Sequence, residues 1–181
     1  MKRIFTTWAG IAALLTIGLA ACSTSNKLKN GIMFQTLLDG DKKMLRGRIN
    51  SAILEKDTAF GWFAENMKYA AVDTAAVTAF RTKADKFSLV VFGGTWCEDT
   101  QALLPQFYKL VRNSGFPETR ITLYAVDRQK TTTNNTQNLY NVTHVPTFIV
   151  LNNGNVEVGR VVEYGKENNV PKELAGIVSK L

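Results

Sequence analysis

The sequence is poor in the side chains from which metal centres are built: its 181 residues include two cysteines, Cys22 and Cys97, and a single histidine, His144. One imidazole and two distant thiols fall short of a tetrahedral ligand set, so no metal is expected. A glycine-rich phosphate loop is also missing, and no cofactor is expected. Lys and Arg outnumber Asp and Glu by 22 to 15, for a formal net charge of +7. The basic residues between Lys27 and Lys180 never gather into a block of five or more, which gives a solvated basic surface and no stripe for nucleic acid or polybasic membrane patch. With 45% apolar residues the chain is long enough for one packed domain and an appendage.

Long apolar runs are scarce as well. The one near the N-terminus, residues 11–21, follows Lys2 and Arg3 and is too short to span a bilayer, which reads as an export signal. It ends in Leu19-Ala20-Ala21-Cys22, which resembles a bacterial lipoprotein signal, where small residues admit the peptidase and the cysteine thiol accepts a diacylglycerol. The resemblance implies a signal peptide over residues 1–21 and a mature chain that starts at a lipidated Cys22. That chain would be anchored to a membrane of the bacterial cell envelope and face the periplasm. An ordinary cleaved signal followed by an incidental cysteine is the alternative. Loss of the leader removes two positive charges. A thioether-linked Cys22 has no thiol to pair, so Cys97 becomes the free thiol of an exported protein, where oxidising conditions favour paired cysteines. Such an odd thiol is a reactive group, a link to another molecule, or buried and inert.

Residues 22–31 are small and polar, the composition of a flexible tether. Residues 32–72 read as a helical extension, since Met33, Leu37, Leu38, Leu45, Ile49, Ile53 and Leu54 recur at roughly helical spacing, interrupted by Gly40 and Gly47. Trp62, Phe63, Met67 and Tyr69 add apolar surface suited to a core. Residues 73–181 are punctuated as an α/β domain. Asp73 caps a helix over residues 74–83, and Phe87-Ser88-Leu89-Val90-Val91-Phe92 is a strand covered on both faces. After Gly93-Gly94, Leu103, Leu104, Phe107, Leu110 and Val111 mark the buried face of a helix that begins near Cys97. Gly115-Phe116-Pro117 ends it, residues 121–126 form a second strand and residues 131–140 a further helix. Residues 147–151 and 156–162 make a hairpin around Asn152-Asn153-Gly154-Asn155, where Asn-Gly suits positive φ, and Pro171 opens a last helix reaching Leu181.

Strand, tight turn and helix therefore meet at Trp96-Cys97, and further on Val145-Pro146-Thr147-Phe148 opens the hairpin. This arrangement, over residues 87–181, resembles the thioredoxin superfamily. The resemblance implies an α/β, thioredoxin-like fold: a central mixed β-sheet flanked by helices, here with the N-terminal helical extension. It gives Cys97 the place of the reactive thiol in the family's Trp-Cys-x-x-Cys loop, which performs thiol–disulfide exchange, with Trp96 beside it. It also makes Pro146 a cis proline facing the sulfur. Val145, Thr147 and Thr100 are the residues expected to contact substrate, the backbone before the proline being free to hold an extended chain as a short β pair. A thiol at a helix N-terminus faces unpaired N–H groups and the positive end of the dipole, which favour the nucleophilic thiolate.

Three departures from the family pattern converge on the sulfur. Thr100 stands where the second cysteine belongs, Val91 replaces a buried Asp that manages protons for that second thiol, and Glu98-Asp99 place two carboxylates beside Cys97. These suit a helix start yet oppose a thiolate. Asp99 is a candidate proton donor or acceptor, or else a solvated helix-terminal charge. His144 either faces Cys97 as an ion-pair partner or points outward, as family geometry implies. Asp127 and Lys130 end the second strand where ligands of open α/β sheets bind, with surface capping the simpler role. A peroxide-reducing loop of the Pro-x-x-x-Thr-x-x-Cys kind is excluded, since Gly94 takes the Thr place. Without a resolving thiol, a mixed disulfide on Cys97 must be released by an outside thiol. The expected function is a membrane-anchored monothiol oxidoreductase. It acts on protein disulfides, sulfenic acids or low-molecular-weight mixed disulfides and is regenerated by an external reducing thiol. The alternative is a redox-inactive thioredoxin-fold module that binds peptides or proteins in the groove beside Pro146.

Overall fold

The computed structural model describes residues 25–28 and 32–181, so the expected signal peptide and Cys22 lie outside the described residues. Seven strands, β1 (Ser25–Leu28), β2 (Ile32–Asp39), β3 (Lys42–Ile49), β4 (Phe87–Gly93), β5 (Ile121–Ala125), β6 (Thr147–Asn152) and β7 (Glu157–Val162), form one sheet in the order β1-β2-β3-β5-β4-β6-β7. The central strand β4 is the apolar run that stands out in the sequence. It pairs parallel with β5, Val91 opposite Leu123, and antiparallel with β6, Val91 opposite Phe148. Successive side chains of a strand point to opposite faces. Phe87, Leu89 and Val91 accordingly enter one core while Val90 and Phe92 enter another, and all five are buried.

The larger core lies under α3 (Thr74–Thr82), α4 (Glu98–Ser114) and α6 (Val170–Val178), where the rings of Phe80, Phe87 and Phe116 pack within 6 Å of one another. Asp73 caps α3 by accepting from Ala76 N at 2.9 Å. The smaller core gathers Val126, Val142, Val145 and Ile149 against the half-buried Trp96 and Cys97. The expected α/β architecture, a mixed sheet with flanking helices, is thus present.

Residues 32–49 are not helical. They form the β2–β3 hairpin, with Asp39 opposite Lys42 across the two-residue turn Gly40-Asp41. The leucines and isoleucines matched a helical period only by coincidence; Asp-Gly between two apolar runs is the signal of a hairpin. β3 pairs antiparallel with β5, Gly47 opposite Ala125, so the extension continues the central sheet. Gly47 has φ +119°, and a Cβ there would meet Met33 O at 2.5 Å and Thr133 Oγ1 at 2.7 Å. Glycine alone allows that approach. The helical part of the extension is confined to α1 (Ser51–Lys56), a 3-10 turn (Thr58–Phe60) and α2 (Trp62–Tyr69). The tether is corrected too: the backbone of β1 pairs with β2, Leu28 opposite Ile32, because an edge strand offers unpaired N–H and C=O groups to a polar neighbour.

Two boundaries and one turn conformation differ from expectation. The helix expected over residues 131–140 shrinks to α5 (Thr136–Leu139), since Asp127 gathers the preceding loop, accepting from Thr131 N at 2.8 Å. In the β6–β7 turn the positive φ falls on Asn155, while Asn152 Oδ1 accepts from Gly154 N and Val156 N. The last helix ends at Val178, short of Leu181.

Candidate active site around Cys97

Gly93-Gly94 carries the chain off β4 through a space too tight for side chains. A Cβ at Gly93 would meet Thr100 Cγ2 at 2.8 Å, and one at Gly94 would meet the Trp96 ring at 2.7 Å. Cys97 N donates to Gly94 O at 2.9 Å, closing the turn, and Cys97 becomes the N-cap residue of α4 with extended backbone and a thiol that makes no capping bond. The half-buried Sγ donates to Val145 O at 3.4 Å, and the Val145–Pro146 bond is cis. Trp96 Nε1 donates to Val126 O at 3.0 Å, which fixes the indole beside the thiol. Cys97, Trp96, Val145 and Pro146 are therefore brought together.

Two of the expected substrate contacts are corrected. Thr100 is 1% exposed, and its Oγ1 accepts from the buried Gly94 N at 3.1 Å, so it positions the turn and offers nothing to a substrate. Thr147 is equally buried, its hydroxyl donating to His144 O at 2.7 Å. Both hydroxyls are consumed in closing the loops that hold Cys97 and Pro146. The His144 ring is exposed and hydrogen-bonded to Thr143 Oγ1 at 2.9 Å, pointing outward. Asp127 is buried rather than a surface cap, accepting from Thr131 Oγ1 at 2.7 Å and pairing with Arg46 Nε at 3.1 Å. Lys130 donates its N–H to Asp127 O in the same loop.

A cleft of about 840 Å³ opens beside Cys97. It is lined by the β2–β3 turn, with Asp39, Asp41, Lys42 and Lys43, by the start of α4, with Glu98, Asp99 and Gln101, and by Trp62, Trp96 and Arg128. The hairpin is tied down at several points. Leu45 N donates to Thr95 Oγ1 at 3.2 Å, Lys43 pairs with Asp57, and Arg128 Nη2 pairs with Asp39 at 2.6 Å. Arg128 also lies 4.6 Å from the centre of the Trp96 ring, a cation–π contact. Hydrogen bonding to Arg128 holds the Asp39 carboxyl below its ordinary value.

Sequence reasoning missed the hairpin wall, Arg128 and Tyr164. The Tyr164 phenol is held above its ordinary value, first by a hydrogen bond to Asp99, then by burial and by the charges that Asp99, Cys97 and Glu98 carry when ionised. The Asp39-Gly40-Asp41 turn was a legible hairpin signal; the influence of Asp99 on Tyr164 left none, since it runs between the end of β7 and the start of α4.

A mixed sheet with a cysteine turn at a helix start and a cis proline next to the carbonyl that the thiol meets defines a thioredoxin-type domain. The thioredoxin family model matches residues 69–175, more than half of the chain, and the chain belongs to that family. No curated protein matches it. Among solved structures it is similar to an HIV epitope scaffold named for 4E10, at 16% identity over 75% of this chain and 94% of that one, with a TM-score of 0.53. It is also similar to a protein of unknown function from Pseudomonas aeruginosa, at 19% identity over 74% and 82% of the two chains with a TM-score of 0.49. The germline-specific thioredoxin Deadhead of Drosophila melanogaster matches at 19% identity over 57% and 89%, with a TM-score of 0.38. The likeness to the epitope scaffold, at 16% identity, speaks to fold alone.

Proposed function

We propose that the chain is a monothiol thiol–disulfide oxidoreductase working through Cys97, held at a membrane of the cell envelope by a lipid on Cys22. The observation that carries the redox reading is a half-buried thiol at the first turn of α4, lining a cleft, with a buried threonine at the resolving position. The Cys97 thiolate attacks one sulfur of a substrate disulfide. A Cys97–substrate S–S bond forms, the substrate S–S bond breaks, and the departing half leaves as a thiolate with the electron pair. An external thiolate then attacks the substrate sulfur of the mixed disulfide and frees Cys97. On a sulfenic acid the leaving group is hydroxide, which departs as water once protonated. Trp96 and the Val145–Pro146 segment flank the sulfur during both exchanges.

The test is a trap. Cells expressing the full chain are quenched in acid, alkylated and resolved without reductant. Adducts of wild type that collapse on reduction and vanish in Cys97→Ser support the reading. Equal partner capture by both proteins means that the groove binds without redox chemistry, and the redox reading then fails.

A further inference from the structure

The β3–β5 ladder ends where Ile49 stands opposite Leu123, because β3 turns into α1 there while β5 has already run from Ile121. The parting of the two chains leaves a cavity of about 380 Å³, within the usual range of small-molecule sites. It shares no lining residue with the cleft beside Cys97. Ile49 and Leu123, buried in the larger core, and the half-buried Ile121 give it apolar walls. Tyr108 of α4 also lines it; this residue is 2% exposed, and its hydroxyl has no hydrogen-bond partner among the described residues. No fully enclosed side-chain oxygen or nitrogen among those residues lacks a partner, so the exposed sliver of Tyr108 is its hydroxyl and the cavity is what it faces. Burial, and then the charge of Glu118, hold the phenol above its ordinary value, which keeps it a neutral donor. Buried hydroxyls ordinarily have a partner, and one left without is costly.

The charges around the cavity narrow what that partner can be. Glu118, the one carboxylate on the lining, accepts from Ser51 Oγ at 2.5 Å and from Arg112 Nε at 3.4 Å, while Arg112 also pairs with Glu55. Two carboxylates thus share one guanidinium, and the Glu118 end stays negative. Arg48, the one cation on the lining, stands opposite Tyr124 in the ladder, so its side chain leaves from the sheet face opposite to that of Ile49. A ligand carboxylate would meet Glu118 with no cation of its own, and a wholly apolar ligand leaves Tyr108 unanswered.

We propose that this cavity binds a small neutral carboxamide with an apolar body, its carbonyl accepting from Tyr108 Oη and its amide N–H turned to Glu118 or Thr119. The apolar body lies against Ile49, Ile121 and Leu123, and the carbonyl supplies the acceptor that the protein withholds from Tyr108. The site involves no chemistry at Cys97 and stands apart from the redox reading.

The experiment titrates the isotope-labelled full chain in detergent with benzamide, benzoate and toluene. Binding is read from the amide NMR shifts of Ile49, Ser51 and Thr119, and equilibrium dialysis gives the free concentration of each probe. Benzamide should bind about threefold or more tightly than benzoate, which faces Glu118 with its charge. Tyr108→Phe keeps the ring and removes the donor. It should weaken benzamide by about three- to tenfold and leave toluene within about twofold of wild type. Ala52→Leu, which puts a larger side chain on the cavity lining, should weaken benzamide and toluene alike by about fivefold or more. Amide shifts away from the cavity that match wild type show that both variants keep the fold. No shift at the three amides with benzamide at its solubility limit means that the cavity holds water alone, and overturns the proposal. It is equally overturned if benzoate binds as tightly as benzamide, if Tyr108→Phe leaves the benzamide affinity unchanged, or if Ala52→Leu does.

Discussion

Replacing Thr100 by valine isolates the hydrogen bond that holds the Cys97 turn. Thr100 is 1% exposed, and its Oγ1 accepts from Gly94 N at 3.1 Å, with Gly94 itself buried. Valine keeps the branched shape that packs against Gly93 but supplies no acceptor, and no water can reach the stranded N–H. Leaving a buried amide unsatisfied costs about 1–3 kcal/mol. For a chain of this size that corresponds to a fall in Tm of about 2–12 °C. Thr100→Ser keeps the acceptor and loses one buried methyl, a cost of about 1 kcal/mol. Urea unfolding of the two variants, with m values checked for constancy, gives the comparison. Gly94 O also receives the N–H of Cys97, so the valine variant should loosen the cysteine turn and show faster amide exchange at Cys97. A valine variant within 0.3 kcal/mol of wild type, or one more stable than the serine variant, would falsify the assignment of that hydroxyl as the turn's anchor.

Two further outcomes follow from other parts of the chain. Burial holds the Tyr108 phenol well above its ordinary value. With the folded pKa raised, the contribution is fully present below about pH 10, where an unfolded tyrosine ionises, and declines as pH rises beyond it by up to about 1.4 kcal/mol per pH unit. Tyr108→Phe should therefore show a shallower loss of stability between pH 9 and 11 in urea titrations; an identical slope in both proteins contradicts the burial argument. If Cys22 carries a lipid, the wild-type chain incorporates labelled fatty acid in growing cells, and Cys22→Ser loses the label. A wild-type chain that takes up no label, or a variant labelled as strongly as wild type, rules the anchor out.

The meeting of strand, turn and helix at Cys97 was legible because each signal is local. The run Phe87-Ser88-Leu89-Val90-Val91-Phe92 must be covered on both faces, Asp73 supplies an acceptor at a helix start, and Gly93-Gly94 breaks the strand. The hairpin of β2 and β3 was misread because isolated leucines fit more than one period. What decides the matter is pairing with β5, a partner remote in sequence, together with the positive φ of Gly47. Thr100 and Thr147 looked like substrate contacts because position in a motif says nothing of burial. Their hydroxyls turned out to satisfy backbone groups of the loops beside them.

By itself the sequence determined the covalent terms of the problem: one thiol in the turn before α4, a hydroxyl where the family pattern has a second thiol, and carboxylates immediately after the sulfur. Those are properties of neighbouring residues, fixed before the chain folds. Tertiary structure alone decided what surrounds the sulfur, since Lys42 and Asp39 on the hairpin, Arg128 after β5 and Tyr164 after β7 reach the site only when the sheet assembles. They act through space, over distances that chain order does not encode.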